Sequence, residues 1–384
     1  MADLAVLAPA ATTMGDTIQA VETRIVDIPA VRSHTHAATT VSTQTCLLVR
    51  IVSRDGAVGH GEVATAGGPW WSGDSIESVK AIIDTHLGPA ICGREAMGLN
   101  AALAAMDRAA HGNAFAKAGI EMALLDLAAR RLGLPVHALL GGGQVPSFAL
   151  SWPLGAADVA TDLDEAEQRL AEGITRFKVK MGGRPEEADR ARALAIGKAL
   201  ADRAELRIDL NGAWSELQAG RHFAALADAG YRVAEQPLPR HDLAGHARLR
   251  GRFPMTLMAD ESLSDARSLL AIDRAGAFAA LALKPLKSGG LLASLRLARL
   301  ARELGFALFG GCFLETSLGT AACLHLGAAI GTLDLGCEWM GPRFLSSDIV
   351  TVPIRYGAGM AWLPDGPGFG VEIDDTAVQR FTRR

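Results

Sequence analysis

The chain has 384 residues, too many for one ordinary domain and enough for a barrel of roughly 200 to 250 residues plus a second unit. Nearly half of it, 49%, is hydrophobic, and a formal net charge of −4 gives no reason to expect nucleic acid or an anionic membrane as a partner. The five cysteines, Cys46, Cys92, Cys312, Cys323 and Cys337, are odd in number, far apart and without a CxxC pair, which suits free thiols in a reducing compartment better than a disulfide framework.

Residues 1–17 begin small and apolar, but they lack a basic n-region and Asp3 interrupts the start, so the expectation is a disordered extension rather than a cleaved signal. No run reaches the ~20 apolar residues of a membrane span, and a cytoplasmic location is expected. Residues 18–30 and 44–53 alternate as two strands, and Ser53-Arg54-Asp55-Gly56 supplies a hairpin-type turn into Val58-Gly59-His60-Gly61-Glu62. Three helical stretches follow to about Arg131, so residues 18–145 read as an α+β unit, with a junction at 133–146 that contains Gly141-Gly142-Gly143.

From Phe148 the pattern changes to strand–helix alternation. Thr175-Arg176-Phe177-Lys178-Val179-Lys180, Leu206-Arg207-Ile208-Asp209, Tyr231-Arg232-Val233-Ala234-Glu235, Thr256-Leu257-Met258-Ala259-Asp260 and Leu281-Ala282-Leu283-Lys284 are short apolar runs, each closed by a charge. The steps from Lys180 onward are 29, 26, 25 and 24 residues, close to one strand, one loop and one helix each. Such charges fall at the C-terminal ends of parallel strands, the rim of a βα-barrel where catalytic groups sit because the packed interior cannot hold them. The barrel is placed at residues 146–352. The Pro-rich and Gly-rich tail, 353–384, shows no βα pattern and is expected to return to the N-terminal unit.

A lone strand-end carboxylate is more often a cap or a surface charge than a ligand. Asp209, Glu235 and Asp260 differ in arriving in phase inside a frame of lysines. They offer hard oxygen ligands that suit Mg²⁺ or Mn²⁺, since no His or Cys shares the spacing. Asn211 and Glu261 stand beside two of them, placed to orient a ligand or its waters or simply to act as structural caps. Lys178 and Lys180 are two apart on one strand and so face the same way; an inward pair is costly unless carboxylates or an anion compensate. A divalent cation with a lysine on each side points to proton transfer at the carbon beside a carboxylate, with a metal-stabilised enediolate and a lysine whose pKa burial and nearby cations depress. That pairing of lysine and metal is the enolase superfamily's own device rather than a deduction from these residues alone.

The chain resembles the muconate-lactonizing branch of that superfamily from about residue 18 to 384. The resemblance is carried by Phe177-Lys178-Val179-Lys180-Met181-Gly182, Arg207-Ile208-Asp209-Leu210-Asn211, Glu235-Gln236-Pro237, Met258-Ala259-Asp260-Glu261-Ser262 and Leu283-Lys284-Pro285-Leu286-Lys287-Ser288-Gly289-Gly290. Gly112-Asn113-Ala114-Phe115-Ala116-Lys117 and Arg131-Leu132-Gly133-Leu134-Pro135 are also similar to muconate cycloisomerases. It implies a (β/α)7β modified TIM barrel with an α+β capping domain formed by the N-terminal part and the C-terminal tail. It further implies metal binding by Asp209, Glu235 and Asp260, with Lys180 as acid/base, Lys178 as its electrostatic partner and Lys284 on the opposite face. Glu338, in Gly336-Cys337-Glu338-Trp339-Met340-Gly341-Pro342, matches a carboxylate lining the family's site, against a loop salt bridge as the plainer reading. Two capping loops, around 32–45 and 64–72, would set specificity; His34, His36, Trp70 and Trp71 are conspicuous there, and Trp71, Ala66, Asn211 and Glu338 are the expected substrate contacts.

The implied reaction is cycloisomerisation of cis,cis-muconate, or a chloromuconate, to muconolactone, by a homo-oligomer, a dimer or an octamer, acting on a small dicarboxylate. Gly67-Gly68-Pro69-Trp70-Trp71-Ser72 is similar to chloromuconate enzymes, whereas Lys287-Ser288-Gly289-Gly290 and Leu314-Glu315-Thr316-Ser317 are closer to enzymes for unchlorinated muconate. Racemisation of N-acylamino acids, dipeptide epimerisation and o-succinylbenzoate synthesis use the same lysines. Dipeptide epimerases carry an Asp-x-Asp pair, and the matching positions here are Glu338 and Met340, while Lys284 stands where a mandelate racemase would have His. A non-catalytic dicarboxylate binder would need neither lysine.

Overall fold

The computed structural model describes residues 16–35, 40–65, 67–143, 145–155 and 158–384. Residues 1–15, most of the expected N-terminal extension, and the site candidates His36 and Ala66 lie outside them.

Three antiparallel strands open the chain: β1 (Ile18–Thr35), β2 (Thr40–Ser53) and β3 (Val58–Ala64), in that order across the sheet. Sequence alternation in the first strand fails at Pro29, and there the β1–β2 register shifts; pairing resumes at His34 with Val41, so both strands run further than the pattern suggested. Ser53 and Gly56 close the β2–β3 turn through the Gly56 N–H to the Ser53 carbonyl, 2.9 Å. The helix Ala114–Leu132 lies directly on β3. Contact this close needs Gly59 and Gly61, because a Cβ at either would sit 2.1 Å from the carbonyl oxygen of Ala123 or Gly119 on that helix.

The second layer is a seven-stranded parallel sheet: β5 (Trp152–Leu154), β6 (Arg176–Lys180), β7 (Glu205–Asp209), β8 (Tyr231–Glu235), β9 (Thr256–Ala259), β10 (Ala280–Leu283) and β11 (Ala307–Gly310), each paired to the next. Amphipathic helices such as Val159–Ala171, Glu216–Asp228 and Ala266–Ala275 cover its outer face, started by side-chain caps from Asp158, Ser215 and Asp265. The sheet curls shut through Cys337, which bridges both Leu150 and Gly310 in parallel. The Ser151 N–H reaches the Cys337 carbonyl at 2.7 Å, and the Glu338 N–H reaches that of Gly310 at 2.7 Å. This is a (β/α)7β barrel.

Inside it, Val233, Met258, Ala280, Ala282 and Phe309 form a small core of their own beneath the C-terminal rim. Buried Arg207 lies 4.6 Å from the Phe309 ring and donates to the Leu335 carbonyl. The tail divides its contacts. Strand β13 (Met360–Trp362) pairs with β12 (Tyr356–Gly357) on one side and with β4 (Ser147–Ala149), just ahead of the barrel, on the other, whereas Gly368 exchanges backbone hydrogen bonds with Leu134 and Val136, and Thr382 bridges Val26 of β1. No helix among the described residues is long and apolar enough to cross a membrane.

Candidate active site

Strand register sets the first row of the site. Lys180 is level with Asp209, and Asp209 with Glu235, while Asp260 lies one residue beyond the end of β9, whose Met258 is the neighbour of Glu235. Lys178 is two residues below Lys180 on the same inward face, as period two requires. All five side chains are buried or nearly so.

The lysines and carboxylates engage one another directly. Lys178 Nζ lies 2.6 Å from Glu338 Oε2, 3.1 Å from Glu235 Oε2 and 3.3 Å from Asp209 Oδ2. Lys180 Nζ donates to Asp209 Oδ2 at 2.5 Å. On the far side Lys284 Nζ donates to Asp260 Oδ2 at 2.6 Å, and Lys287 Nζ donates to both the Oδ1 and the backbone carbonyl of Asp260 at 2.8 Å. Lys287 has no part in the sequence-based site, because it sits in the single helical turn Pro285–Ser288 after β10, where neither strand nor long-helix periodicity fixes a direction.

Backbone turns at the strand ends are equally specific. Asn211 takes φ 44° and Gln236 takes φ 37°, left-handed positions costly for residues other than glycine. The first lets the Asn211 N–H cap Asp209 Oδ1 at 3.0 Å while its amide donates to Glu261 Oε1 at 3.0 Å. The second turns the Gln236 amide oxygen toward the N–H groups of Asp260 and Ser262, each at 3.1 Å, tying the end of β8 to that of β9.

Burial disfavours charge on Lys284, but Asp260 and then Glu235 outweigh it and hold the ammonium above its usual range; Lys178 is raised in the same way by Glu235, Glu338 and Asp209. Carboxylates are the charges that hold both ammoniums in this state. Asp209 is held low despite burial by Lys180 and Lys178, and Asp260 by Lys284 and Lys287. Burial pushes Glu235 up to about 7, with Asp209 adding to it, and Glu261 up to about 8, with Asp260 adding to it. Lys178 beside Glu235 and Lys284 near Glu261 offset only part of this. Asn211 Oδ1, Glu261 Oε2 and Glu338 Oε1 are moreover buried without a hydrogen-bond partner. Three buried carboxylates with unpaired amide and carboxyl oxygens beside them form an all-oxygen donor set that fits a hard divalent cation. Among the described residues, the group of His, Cys, Asp or Glu whose donors already lie within 4.8 Å of one another is elsewhere, at Glu186, Glu187 and His222, outside the barrel, where His222 and Glu186 are already bonded at 2.5 Å.

Above the charges lies a cavity lined by Trp71, Pro153, Lys178, Lys180, Asn211 and Lys284, with Cys312, Phe313, Leu314, Glu338 and Met340 closing its side. Trp71, Asn211 and Glu338 thus share the cavity with the lysines. The Lys284 stem passes over Gly311, where a Cβ would lie 2.7 Å from its Cε. Its ammonium is 4.8 Å from the Trp71 ring centre and 4.6 Å from that of Phe313, and those two rings meet edge-on at 4.9 Å. Phe313 and Cys312 belong to the β11 loop, whose one charge, Glu315, turns back to accept from the Phe313 N–H.

Residues 20–141 match the family model described as mandelate racemase / muconate lactonizing enzyme, N-terminal domain, and residues 161–377 match enolase C-terminal domain-like. The chain is 41% identical over 370 residues to Muconate cycloisomerase 1 of Pseudomonas putida, covering 96% of this chain and 99% of that protein. It is 39% identical to a chloromuconate cycloisomerase of Cupriavidus pinatubonensis, covering 94% and 97%. Its fold superposes with TM-score 0.94 on a Pseudomonas fluorescens muconate lactonizing enzyme complexed with muconolactone, at 38% identity over 96% of this chain and all of that one. The TM-score is also 0.94 against 2-chloromuconate cycloisomerase of Rhodococcus opacus 1CP, at 41% identity, again over 96% of this chain and all of that one.

Proposed function

We propose, from the premise that this chain belongs to the mandelate racemase / muconate lactonizing enzyme family of the enolase superfamily and is a cycloisomerase, that it closes cis,cis-muconate or a chloromuconate to the lactone with Lys180 as proton donor. One carboxylate of the substrate adds across the conjugated double bond and forms the ring C–O bond. Electrons shift to the other carboxylate as an enediolate, and the carbon beside it takes a proton; nothing is oxidised or reduced. A divalent cation, Mg²⁺ or Mn²⁺, held by Asp209, Glu235 and Asp260 supplies charge that favours the enediolate.

The observation that carries the reading is the placement of lysines on both sides of the carboxylate row. Lys180, on Asp209, reaches the cavity from the β6 side, and Lys284, on Asp260, reaches it from the β10 side. Lys180 delivers the proton on its own face. Lys178, locked between Glu235 and Glu338, keeps positive charge behind it. Lys284, walled by Trp71 and Phe313, stabilises the developing negative charge from the other face.

NMR of the lactone formed in D₂O tests this. Wild type is expected to deuterate one face only, Lys180→Ala to form no deuterated lactone, and Lys284→Ala to react more slowly with the face unchanged. Deuterium on the Lys284 face overturns the assignment. Exchange from both enantiomers of an N-acylamino acid, each lost in one lysine variant, would instead make the chain a racemase.

A further inference from the structure

Gln44 lies on β2 and is 1% exposed. Its Nε2 donates to the backbone carbonyl of Phe313 at 3.0 Å and to that of Thr65 at 3.3 Å. Two carbonyls can be met only by the two N–H bonds of an amide nitrogen, so the orientation of this side chain follows from its surroundings. The two partners come from different layers of the protein. Thr65 directly follows β3 at the root of the capping-domain loop that carries Trp71, and Phe313 is in the β11 loop of the barrel. Phe313 is further fixed by its own N–H to Glu315 Oε2 at 3.0 Å, and Leu314 beside it takes φ 61°.

We propose that Gln44 is a positioning residue for specificity: it sets the spacing between Trp71 and Phe313, the two rings that wall Lys284, and so decides which substituted muconates fit against that lysine. The inference rests on the functional reading above. Gln44 is not in the cavity lining; it acts through the two loops it ties together. Losing the amide leaves two buried carbonyls unpaired and frees the loops to separate.

The test uses the full chain labelled with 5-fluorotryptophan, the Trp71 ¹⁹F resonance being identified by its loss in Trp71→Phe. Gln44→Met keeps the volume and removes both donors; Gln44→Glu keeps the shape and serves if the first variant folds poorly. The Trp71 resonance is expected to shift or broaden in either variant while those of the other tryptophans hold. The ratio of kcat/KM for muconate to that for 2-chloromuconate is expected to change about ten-fold, and less than about two-fold when the same substitution is made in Trp71→Ala. An unmoved Trp71 resonance, an equal loss for both substrates, or a full effect without Trp71 overturns the proposal. If wild type converts neither substrate, the functional reading fails on its own and the resonance alone decides the role of Gln44.

Discussion

Asp260 is held by two lysines that are not equivalent. Lys284 faces the cavity, whereas Lys287 grips both the carboxylate and its backbone carbonyl from behind. Lys287→Met should leave the fold intact and weaken divalent-cation binding about ten-fold, because the carboxylate loses the group that fixes its angle; titration calorimetry with Mn²⁺ reads this, and unchanged affinity would reduce Lys287 to packing. Asp260→Ala should abolish that binding. The carboxylates, Lys180 and Lys284 can be recognised in the sequence because each closes a short apolar run, with Lys178 two residues before Lys180, and the runs recur at nearly constant intervals. Lys287, Gln236 and Phe313 cannot, since their directions depend on one-turn helices and left-handed backbone that leave no period.

Two carboxylates of the capping domain start helices of the barrel. Glu62 of β3 accepts from the Thr316 N–H at 2.8 Å, the Thr316 hydroxyl at 2.5 Å and the Gly319 N–H at 2.8 Å, at the start of Ser317–Ile330. Glu121 of Ala114–Leu132 accepts from the N–H groups of Leu291 and Leu292, which begin Leu291–Glu303. Negative charge at a helix N-terminus is favourable, and here the unpaired N–H groups of one domain are satisfied by the other. Glu62→Ala should cost about 3 kcal/mol in denaturant unfolding, and Glu62→Gln less, because the amide keeps one acceptor oxygen. A cost near zero would mean that water replaces the carboxylate. This fastening is hidden in the sequence, where Glu62 only ends a strand and Glu121 is one acidic residue of a helix. Strand–helix alternation showed the barrel plainly. The pairing of β13 with β4 was not evident, because three-residue strands from segments about 200 residues apart share no pattern.

Across the whole molecule, packing of the tail against the barrel leaves a pH signature. His325, in the helix Ser317–Ile330, is fully buried, stacks on His137 at 5.2 Å and packs on Phe369 of the tail. Burial lowers its pKa from 6.5 to about 3. Below 6.5 the unfolded chain takes up a proton at this ring and the folded chain does not, so stability present above 6.5 is lost as pH falls toward 3, by up to about 1.4 kcal/mol per unit. His325→Asn should remove that slope, making the stability difference between wild type and variant change steadily between pH 6 and 4.5. Parallel curves would show that the ring takes its proton inside the fold. A different consequence follows from the closure of the barrel at Cys337. The residue next to it, Glu338, meets Lys178 from the opposite end of the sheet, 160 positions away in the chain. The seam and the site are therefore completed in one event, and a chain refolding from denaturant should regain its fluorescence before its turnover, the lag between them timing the meeting of first strand and last.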